Sequence, residues 1–399
     1  MSVEVRRVIE SLRLGIPPDG YVRYFTVGRI SEIAELTAKL QQGQSGALLL
    51  KANYGSGKSH LLRFIRETAL KENFAVSTVT LDAKSAVRFN RMDQILGAIW
   101  RGLEVPAEPG CRGVRPFFDF VCQQALESKG EPGKEWQQIT NNGQWNFSKV
   151  LESPAIFIAL RAWASGKCKK DILQDWLFQQ GTYKAADLYH DLVEIINRYY
   201  RHELTVNSSH KWRAYTTKSL LFSFKDQGYI QSWAALRDIH TLARAAKLQG
   251  LIILFDEFED VLSNIKNIAH QEAAFQNLFD FYASQQVKAM SFFAVTPEFV
   301  DKCKERLLSK GRWDYSYSQF DALHTFEMSP LEKLHLQELA SKIREIHRIA
   351  YGWDTNLSSL ELGLSSVVQK AASNTVQDRT RQTIREVVKF LDCQLEEAA

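Results

Sequence analysis

A glycine-bearing loop between an apolar strand and an amphipathic helix constrains this chain more than any other feature. Residues 52–59 read ANYGSGKS and directly follow the apolar run 47–50. Gly55 and Gly57 let the backbone curl so that successive N–H groups converge on a phosphate, where a side chain would obstruct it. Lys58 offers a point charge to the outer phosphates, and the N-terminus of the next helix adds partial positive charge. The loop therefore predicts a nucleoside triphosphate site.

The remaining loop positions complete this prediction. Ser59 offers a hydroxyl to Mg²⁺. Ala52 stands where the usual pattern opens with glycine, and a small residue fits there if the backbone needs no positive φ. The alternative is a chance match in a glycine-bearing turn, which the flanking strand and helix disfavour. We expect ATP to contact a continuous run of the loop: Tyr54, Gly55, Ser56, Gly57, Lys58, Ser59 and His60.

The composition is that of a globular protein. The 399 residues are 45% hydrophobic and 24% charged, which suits two to three compact units. No apolar run is long enough to cross a bilayer, the N-terminus lacks a signal-peptide core, and the five cysteines have no CxxC spacing. We therefore expect a cytoplasmic protein with reduced cysteines and no membrane partner. A net charge of +4 does not by itself indicate nucleic-acid binding.

Alternating strand and helix patterns surround the loop. A helix, the turn GIPPDG and a strand over 21–27 are predicted first, followed by a helix with Ser31 as its N-cap. A strand over 47–52, a helix over 58–70 and a strand over 74–81 then form a βαβ unit. Such a unit predicts an α/β fold with a parallel sheet.

This alternation is interrupted and then resumes. Residues 101–250 show helical patches separated by Gly, Pro and Asn clusters, which we interpret as a helical insertion. The α/β pattern returns at LIILFDEFED, and strands are predicted over 290–295 and around HTFEM. The chain after residue 330 has helical periodicity. The predicted units are an N-terminal segment (1–45), a P-loop NTPase core (46–100 and 251–329), a helical insertion (101–250) and a helical lid (330–399).

Paired carboxylates at the end of the buried strand LIILF are the second chemical feature. This pattern is typical of a Walker B motif, whose position brings Asp256 close to Ser59 so that both can hold Mg²⁺. Glu257 is then the residue that positions or deprotonates the attacking water. The alternative is that the two acids only end a strand and cap the next helix. The spatial prediction is that Asp256 and Lys58 meet at one site.

Two further residues are candidates for sensing the γ-phosphate. Thr296 ends the strand MSFFAV at the sheet edge where ligands of such sheets bind, although it also suits the start of a Thr-Pro turn. Arg381 lies at the start of a helix within RTRQTIREVV, where a solvated basic helix terminus is the alternative.

In this order, the four elements resemble the AAA+ ATPases of the origin-recognition branch. The segments GIPPDGYVRYFTVGRISEI, NYGSGKSHLL, LFDEFED and FFAVTPEF are similar to prokaryotic ATP-binding proteins of BREX-type phage defence. The resemblance covers residues 1–100 and 250–395. It implies a three-layer αβα parallel sheet with a helical insertion and a C-terminal helical lid.

The resemblance also implies roles for single residues. Val27, Gly28 and Arg29 would lie beside the adenine, Thr296 would be the first sensor and Arg381 the second. The family's second sensor often follows a proline, but Thr380 stands there, so Arg379 remains an alternative. Arg306 and Arg312 follow the first sensor at a plausible distance for an arginine finger, but their surroundings carry no specific signal.

One basic and aromatic stretch is a candidate nucleic-acid surface. Cations interleaved with rings are typical of single-strand binding, but they also form ordinary half-buried helix faces. The candidates are Arg198, Tyr199, Tyr200, Arg201, His202, Lys211, Trp212 and Arg213.

Two functional hypotheses follow. The first is an ATP-hydrolysing AAA+ protein that remodels a DNA or protein partner in defence or genome maintenance. The second is a nucleotide-gated adaptor with negligible basal hydrolysis, which forms a homo-oligomer or recruits a helicase or another defence-system protein. Both use the same motifs.

Overall fold

A central six-stranded sheet organises the fold. The structure is a computed structural model that describes residues 2–42, 45–82, 86–127, 140–141, 144–145, 150–179, 184–206, 211–283, 286–353, 358–373 and 378–398. The strands are β1 (Gly46–Lys51), β2 (Ala75–Thr80), β3 (Leu103–Glu104), β4 (Thr140–Asn141), β5 (Gln144–Trp145), β6 (Leu251–Asp256), β7 (Met290–Val295) and β8 (Thr325–Glu327). β4 and β5 form a separate two-stranded hairpin.

The strand order brings the chemically important segments to one edge. The main sheet runs β3-β2-β6-β7-β1-β8, and its pairings are parallel except that β3 is antiparallel to β2. β7 lies between β1 and β6. The carboxyl ends of β1 and β6 therefore lie at the same edge, one strand apart. The predicted parallel α/β sheet is confirmed, with an antiparallel edge strand that the sequence did not indicate.

Helices flank the sheet and continue to both termini. They are α1 (Ser2–Arg13), α2 (Val22–Phe25), α3 (Ile30–Gln41), α4 (Lys58–Lys71), α5 (Met92–Gly102), α6 (Val114–Glu127), α7 (Pro154–Ser165), α8 (Lys170–Leu177), α9 (Ala185–Ile195), α10 (Arg201–Val206), α11 (Lys218–Phe222), α12 (Ile230–Ala245), α13 (Val261–Asn264), α14 (Ile268–Tyr282), α15 (Phe299–Leu308), α16 (Ser318–Asp321), α17 (Lys333–Tyr351), α18 (Ser358–Ala372) and α19 (Arg379–Ala398). A π-helical turn spans Ile196–Tyr200, and 3₁₀ turns span Lys211–Tyr215, Gln227–Tyr229 and Phe258–Asp260.

Alternate residues of the strands serve two different cores. In β1, Leu48 and Leu50 pack with α3 and α4, whereas Leu49 belongs to the core on the opposite face. This follows from the two-residue period of a strand. The second core contains apolar side chains of α5, α6, α7, α12 and α14. Helices of the stretch 101–250 therefore share a continuous core with the sheet, and the proposed division at residues 101 and 250 remains a prediction.

The N-terminal helix packs with the C-terminal helices. Val5, Val8, Ile9 and Leu12 of α1 share a third core with apolar residues of α17, α18 and α19. The Arg13 guanidinium also donates to Asp392 of α19 at 3.0 Å. The ends of the sequence thus form one packed unit, which we call the terminal helical unit.

Two local predictions near the N-terminus are wrong. Residues 21–27 contain the short helix α2 and no strand. Within α2 the buried side chains are Val22 and Phe25, whose spacing of three places them on one helix face. Ser31 is not the N-cap of α3, which begins at Ile30 after Arg29 without a side-chain cap. The hydroxyl of Ser31 contacts Glu32 instead.

Among the described residues, none of the helices is both long and apolar enough to cross a membrane.

The shared terminal core gives a stability prediction. Ile9→Ala should lower the free energy of unfolding by about 2–4 kcal/mol, because Ile9 is fully buried between α1 and the C-terminal helices. Val3→Ala in the same helix is the matched control, since Val3 is 66% exposed and should change stability by less than about 0.5 kcal/mol. Denaturant unfolding of the full chain measures both, and equal effects would contradict a buried α1.

Candidate functional site

The glycine loop has the backbone that its sequence demands. Gly55 has φ 69°, and Gly57 has φ 98° as the residue that precedes α4. Residues with a Cβ rarely adopt this left-handed region, so glycine is required at both positions. The Leu61 N–H donates to the Gly57 carbonyl at 2.9 Å, so α4 starts directly from the loop.

A cavity lies between this loop, the end of β6 and the terminal helical unit. Its polar side contains Asp256, Glu257 and Glu259, together with all seven predicted loop contacts: Tyr54, Gly55, Ser56, Gly57, Lys58, Ser59 and His60. Its apolar side comes from the two chain ends and includes Leu12, Ile16, Pro17, Pro18, Phe25, Val27, Leu331, Leu339 and Ile384. The cavity thus joins a charged end to an apolar end, and both Lys58 and Asp256 line it.

Lys58 is a buried cation with its contacts satisfied inside the protein. Its ammonium donates to the Ala52 carbonyl at 3.1 Å and to Glu259 Oε1 at 2.9 Å. The Tyr54 ring centroid lies 4.7 Å from the same nitrogen, within cation–π range. The side chains of Lys58 and Glu259 are only 9% and 8% exposed. The pair therefore holds the lysine against the loop.

An aromatic anchor positions the acidic segment after β6. Phe258 is 1% exposed and packs against Phe255, Phe293 and Phe299. The 3₁₀ turn that contains Phe258 places an acidic residue on each side of it, Glu257 before and Glu259 after. Burial of Phe258 thus fixes the backbone position of the two acidic residues beside it.

Glu257 lies in a strongly acidic setting. Its backbone has φ 55°, and its N–H is bonded to Asp256 Oδ1 at 3.0 Å. Burial and then the carboxylates of Asp256, Asp260 and other nearby acids raise the pKa of Glu257 above its usual value. A raised pKa makes a carboxylate a better proton acceptor for a water molecule.

Arg29 ties the N-terminal segment to the loop. Its guanidinium donates to the Ser56 carbonyl at 2.9 Å and to the Ser329 carbonyl at 3.1 Å, and it is 4% exposed. Glu32 is also within ion-pair distance. Arg29 also lines the cavity with Val27, so it contacts both the cavity and the loop.

His60 connects α4 to the segment before α3. The Thr26 hydroxyl donates to the Val22 carbonyl at 2.7 Å, so the His60 Nε2–H is the donor in the 2.8 Å contact with that hydroxyl. Burial and then the charges of Arg29 and Arg63 lower the pKa of His60 to about 4. The histidine is therefore neutral at physiological pH and acts as a hydrogen-bonded packing residue at the cavity wall.

The terminal helical unit touches the loop directly. The Asp378 N–H donates to the Tyr54 carbonyl at 3.2 Å, and a Cβ added at Gly55 would lie 2.4 Å from the Asp378 Cα. Arg381 lines the cavity, and a Cβ at Gly15 would lie 2.8 Å from its side chain. The start of α19 therefore covers the glycine loop.

Two predicted site residues lie outside the cavity lining. Gly28 packs against the His335 ring of α17, where an added Cβ would lie only 2.3 Å from the ring. Thr296 follows β7 and is 4% exposed. Both remain predictions as nucleotide contacts, because reaching a ligand from these positions requires a change in the surrounding packing.

The predicted base-stacking residues Tyr200 and Trp212 are wrong for that role. Trp212 is fully buried and its indole N–H donates to the Glu152 carbonyl at 3.0 Å. Tyr200 is 3% exposed, and its hydroxyl donates to the Tyr215 carbonyl at 2.7 Å. Both rings are core components of the insertion, because their hydrogen-bonding groups find partners inside it.

The cations of that stretch have a different environment. Arg198, Arg201, Lys211 and Arg213 are exposed, and Tyr199 is partly buried with Arg198 5.5 Å from its ring centroid. These side chains form a basic surface without the two buried rings. A DNA partner for this surface remains a prediction.

Comparison with known families agrees with this geometry. The family model for the BREX system ATP-binding protein BrxC/D matches residues 2–144 and 227–398. The chain belongs to this family. Both sides of the cavity lie within the matched regions, and the BREX ATP-binding family acts in phage defence.

The family assignment stands on this match alone. No curated protein and no solved structure is significantly similar to the chain. Residues 145–226, which include the basic surface, lie outside the matched regions.

The cavity of this BREX family member suits a nucleotide with a divalent cation. Gly55 and Gly57, both at positive φ, place no side chain in the cavity, and the buried Glu259 Oε2 has no hydrogen-bond partner among the described residues. Ser59 and Asp256 also line the cavity, and hydroxyl and carboxylate oxygens are ligands that Mg²⁺ prefers. The donor set thus fits both groups.

Two residues that contact the glycine loop, Glu259 and Asp378, escaped the sequence reasoning. Glu259 lies only two positions after Glu257 in the acidic run DEFED. The sequence therefore showed an acidic residue at this position, but an acidic residue in a solvent-exposed turn would look the same. Asp378 precedes a helix and carries no motif. The packing of the terminal helical unit alone brings it to the loop.

The lowered pKa of His60 gives a pH prediction. Between about pH 6.5 and pH 4 the unfolded chain binds a proton at this histidine and the folded chain does not, so stability rises with pH across that window. From pH 7 to pH 5 this contributes a loss of about 2 kcal/mol. In the His60→Asn variant the loss should be smaller by that amount, as measured by denaturant unfolding at both pH values. His202→Asn, at an exposed position of α10, is the control, and an identical slope in His60→Asn and wild type would contradict a buried neutral imidazole.

Proposed function

We propose that this BREX family member hydrolyses ATP with Mg²⁺ in the cytoplasm and uses the reaction to remodel a DNA or protein partner. One observation carries the proposal: the glycine loop, the acidic end of β6 and the terminal helical unit line the same cavity. A phosphate chain fits the charged end, and an adenine fits the apolar end. Val27, which the resemblance places beside the adenine, lines the apolar side of the cavity.

The residues divide the chemistry among them. Loop N–H groups and Lys58 bind the phosphates, and Ser59 with Asp256 would hold Mg²⁺, which supplies neutralising charge when bound. Glu257 orients the water and accepts its proton, for which its raised pKa is suited. Thr296 lies after the strand between β1 and β6, and in this proposal it senses the γ-phosphate after a local rearrangement.

The helical lid supplies the conformational response. Arg381 lies at the start of α19, close to Gly15 of the N-terminal segment, and lines the cavity. In this proposal its guanidinium binds the γ-phosphate, so ATP and ADP hold the terminal helical unit differently. An AAA+ assembly into a homo-oligomer would carry that difference to a partner.

A nucleotide-gated adaptor is the second candidate function. It is favoured by the contacts of the loop itself: Lys58 is paired with Glu259, and Asp378 lies on Gly55. A site in which the lysine is already neutralised and covered requires rearrangement before turnover. In this reading ATP binding drives assembly or recruitment of a helicase or another defence protein, and hydrolysis is slow.

Removal of the two central charges tests the enzymatic proposal. Lys58→Ala should weaken ATP binding about 10- to 100-fold and abolish turnover, because the phosphates lose a charged donor. Glu257→Gln should retain ATP binding and lower turnover at least about 100-fold. Isothermal titration and phosphate release measure the two effects. Glu298→Gln is the control for a nearby exposed acid, and unchanged turnover in Glu257→Gln would remove that residue from the proposed role.

Paired arginine variants test the sensor assignment. Arg381→Ala should weaken ATP binding about tenfold and leave ADP binding nearly unchanged, because only ATP offers the γ-phosphate. Arg379→Ala, two positions away on the same helix, should leave both affinities unchanged. The opposite pattern would assign the sensor to Arg379, and two unchanged variants would contradict a lid sensor.

Turnover measured beside assembly separates the two candidate functions. ATP hydrolysis is followed with and without DNA, and molecular mass is determined by light scattering in ADP and in ATP. Hydrolysis near zero together with an ATP-dependent increase in mass would favour the adaptor. Turnover by the isolated chain would favour the enzyme.

A further inference from the structure

Lys58 is already paired with a carboxylate, so a triphosphate that enters the cavity meets a neutralised charge. The ammonium has a carbonyl, a carboxylate and an aromatic ring around it, supplied by Ala52, Glu259 and Tyr54. An ammonium has three donor hydrogens. The Ala52 carbonyl and Glu259 engage two of them, and a phosphate that approaches this nitrogen competes with the carboxylate, the group that an anion replaces charge for charge.

Glu259 is itself incompletely satisfied. Its Oε1 accepts from Lys58, but its buried Oε2 has no hydrogen-bond partner among the described residues. A buried carboxylate with one unpaired oxygen is held mainly by its cation, and it loses most of its stabilisation when that cation leaves. Breaking the pair therefore leaves a buried negative charge that needs a new cation, since Glu259 has no second hydrogen-bond partner among the described residues.

The surrounding acids increase the electrostatic cost of phosphate entry. Asp256, Glu257 and Glu259 all line the cavity, and Asp260 ends the same turn. While Lys58 remains paired with Glu259, its charge is neutralised and these carboxylates face an incoming triphosphate. Like charges in a partly buried site repel strongly, and a divalent cation offsets this repulsion.

We propose that Glu259 is a positioning residue that competes with the nucleotide phosphates for Lys58 and thereby makes ATP binding depend on Mg²⁺. This rests on the nucleotide site proposed above. Glu259 holds the lysine in place without nucleotide, and phosphate binding breaks the Lys58–Glu259 pair. The released carboxylate adds negative charge beside the phosphates, so binding is favourable only when a divalent cation is bound with them.

Nucleotide affinity with and without the cation tests this role. The dissociation constant of a fluorescent ATP analogue is measured in Mg²⁺ and in EDTA for wild type, Glu259→Gln and Asp260→Asn. Without Mg²⁺ the glutamine variant should bind about tenfold tighter than wild type, because its amide still accepts from Lys58 but carries no charge. The ratio of the dissociation constant in EDTA to that in Mg²⁺ should therefore be smaller for Glu259→Gln than for wild type. Asp260→Asn removes an acid of the same turn that is not paired with Lys58, and should change affinity less than about threefold.

The outcomes separate this role from the nucleotide site itself. Equal or weaker binding by Glu259→Gln in EDTA, with binding still weakened in Lys58→Ala, would overturn the competition and leave the site intact. Binding that survives Lys58→Ala unchanged would overturn the nucleotide site as well. An effect of Asp260→Asn as large as that of Glu259→Gln would overturn the specific role of Glu259, because any acidic residue of the turn would then have the same effect on affinity.

A second variant covers the case in which Glu259→Gln fails to fold, as judged by its thermal melting curve. Glu259→Asp keeps the charge but withdraws it from Lys58 by one methylene. Its affinity without Mg²⁺ should rise by a smaller factor than tenfold, since the pair is weakened while the repulsion remains. Affinity equal to that of wild type would overturn the proposal.

Discussion

The buried ion pair between Lys58 and Glu259 is the interaction on which the site depends. A lysine that is 9% exposed stays charged only if an anion or several acceptors replace its water. Here the Ala52 carbonyl and Glu259 do so, and the two chain segments they belong to follow different strands. The pair thus joins the loop after β1 to the turn after β6, and any ligand of the lysine alters both.

The sheet makes this pairing possible. β7 lies between β1 and β6 in a parallel arrangement, so both outer strands end at the same edge with one strand spacing between them. Phe258 then packs into the aromatic core against Phe293 and Phe299. The next residue, Glu259, contacts Lys58 of the loop. An apolar contact, the burial of one phenylalanine, therefore determines where a charged contact forms.

The terminal helical unit closes the other side of the cavity. Because α1 packs with α17 and α19, the two ends of the chain form one packed unit, which contributes both the apolar wall and Arg381 to the cavity. Asp378 meets Gly55 at the point where the loop has no side chain to keep it away. The glycine loop is thus in direct contact with a unit composed of the N- and C-terminal helices.

The sequence alone determined the local elements of the site: the glycine loop, the helix starting at Lys58 and the strand ending at Asp256. Local features of the sequence, namely hydrophobic periodicity and the conformational freedom of glycine, predict these elements. The resemblance to BREX ATP-binding proteins rested on the same segments. Only the tertiary structure decided the partner of Lys58, the burial of Tyr200 and Trp212, and the union of α1 with the C-terminal helices. Each of these depends on packing between segments that are far apart in the chain. A local sequence pattern predicts that a helix has an apolar face, but it does not predict which distant segment packs against that face.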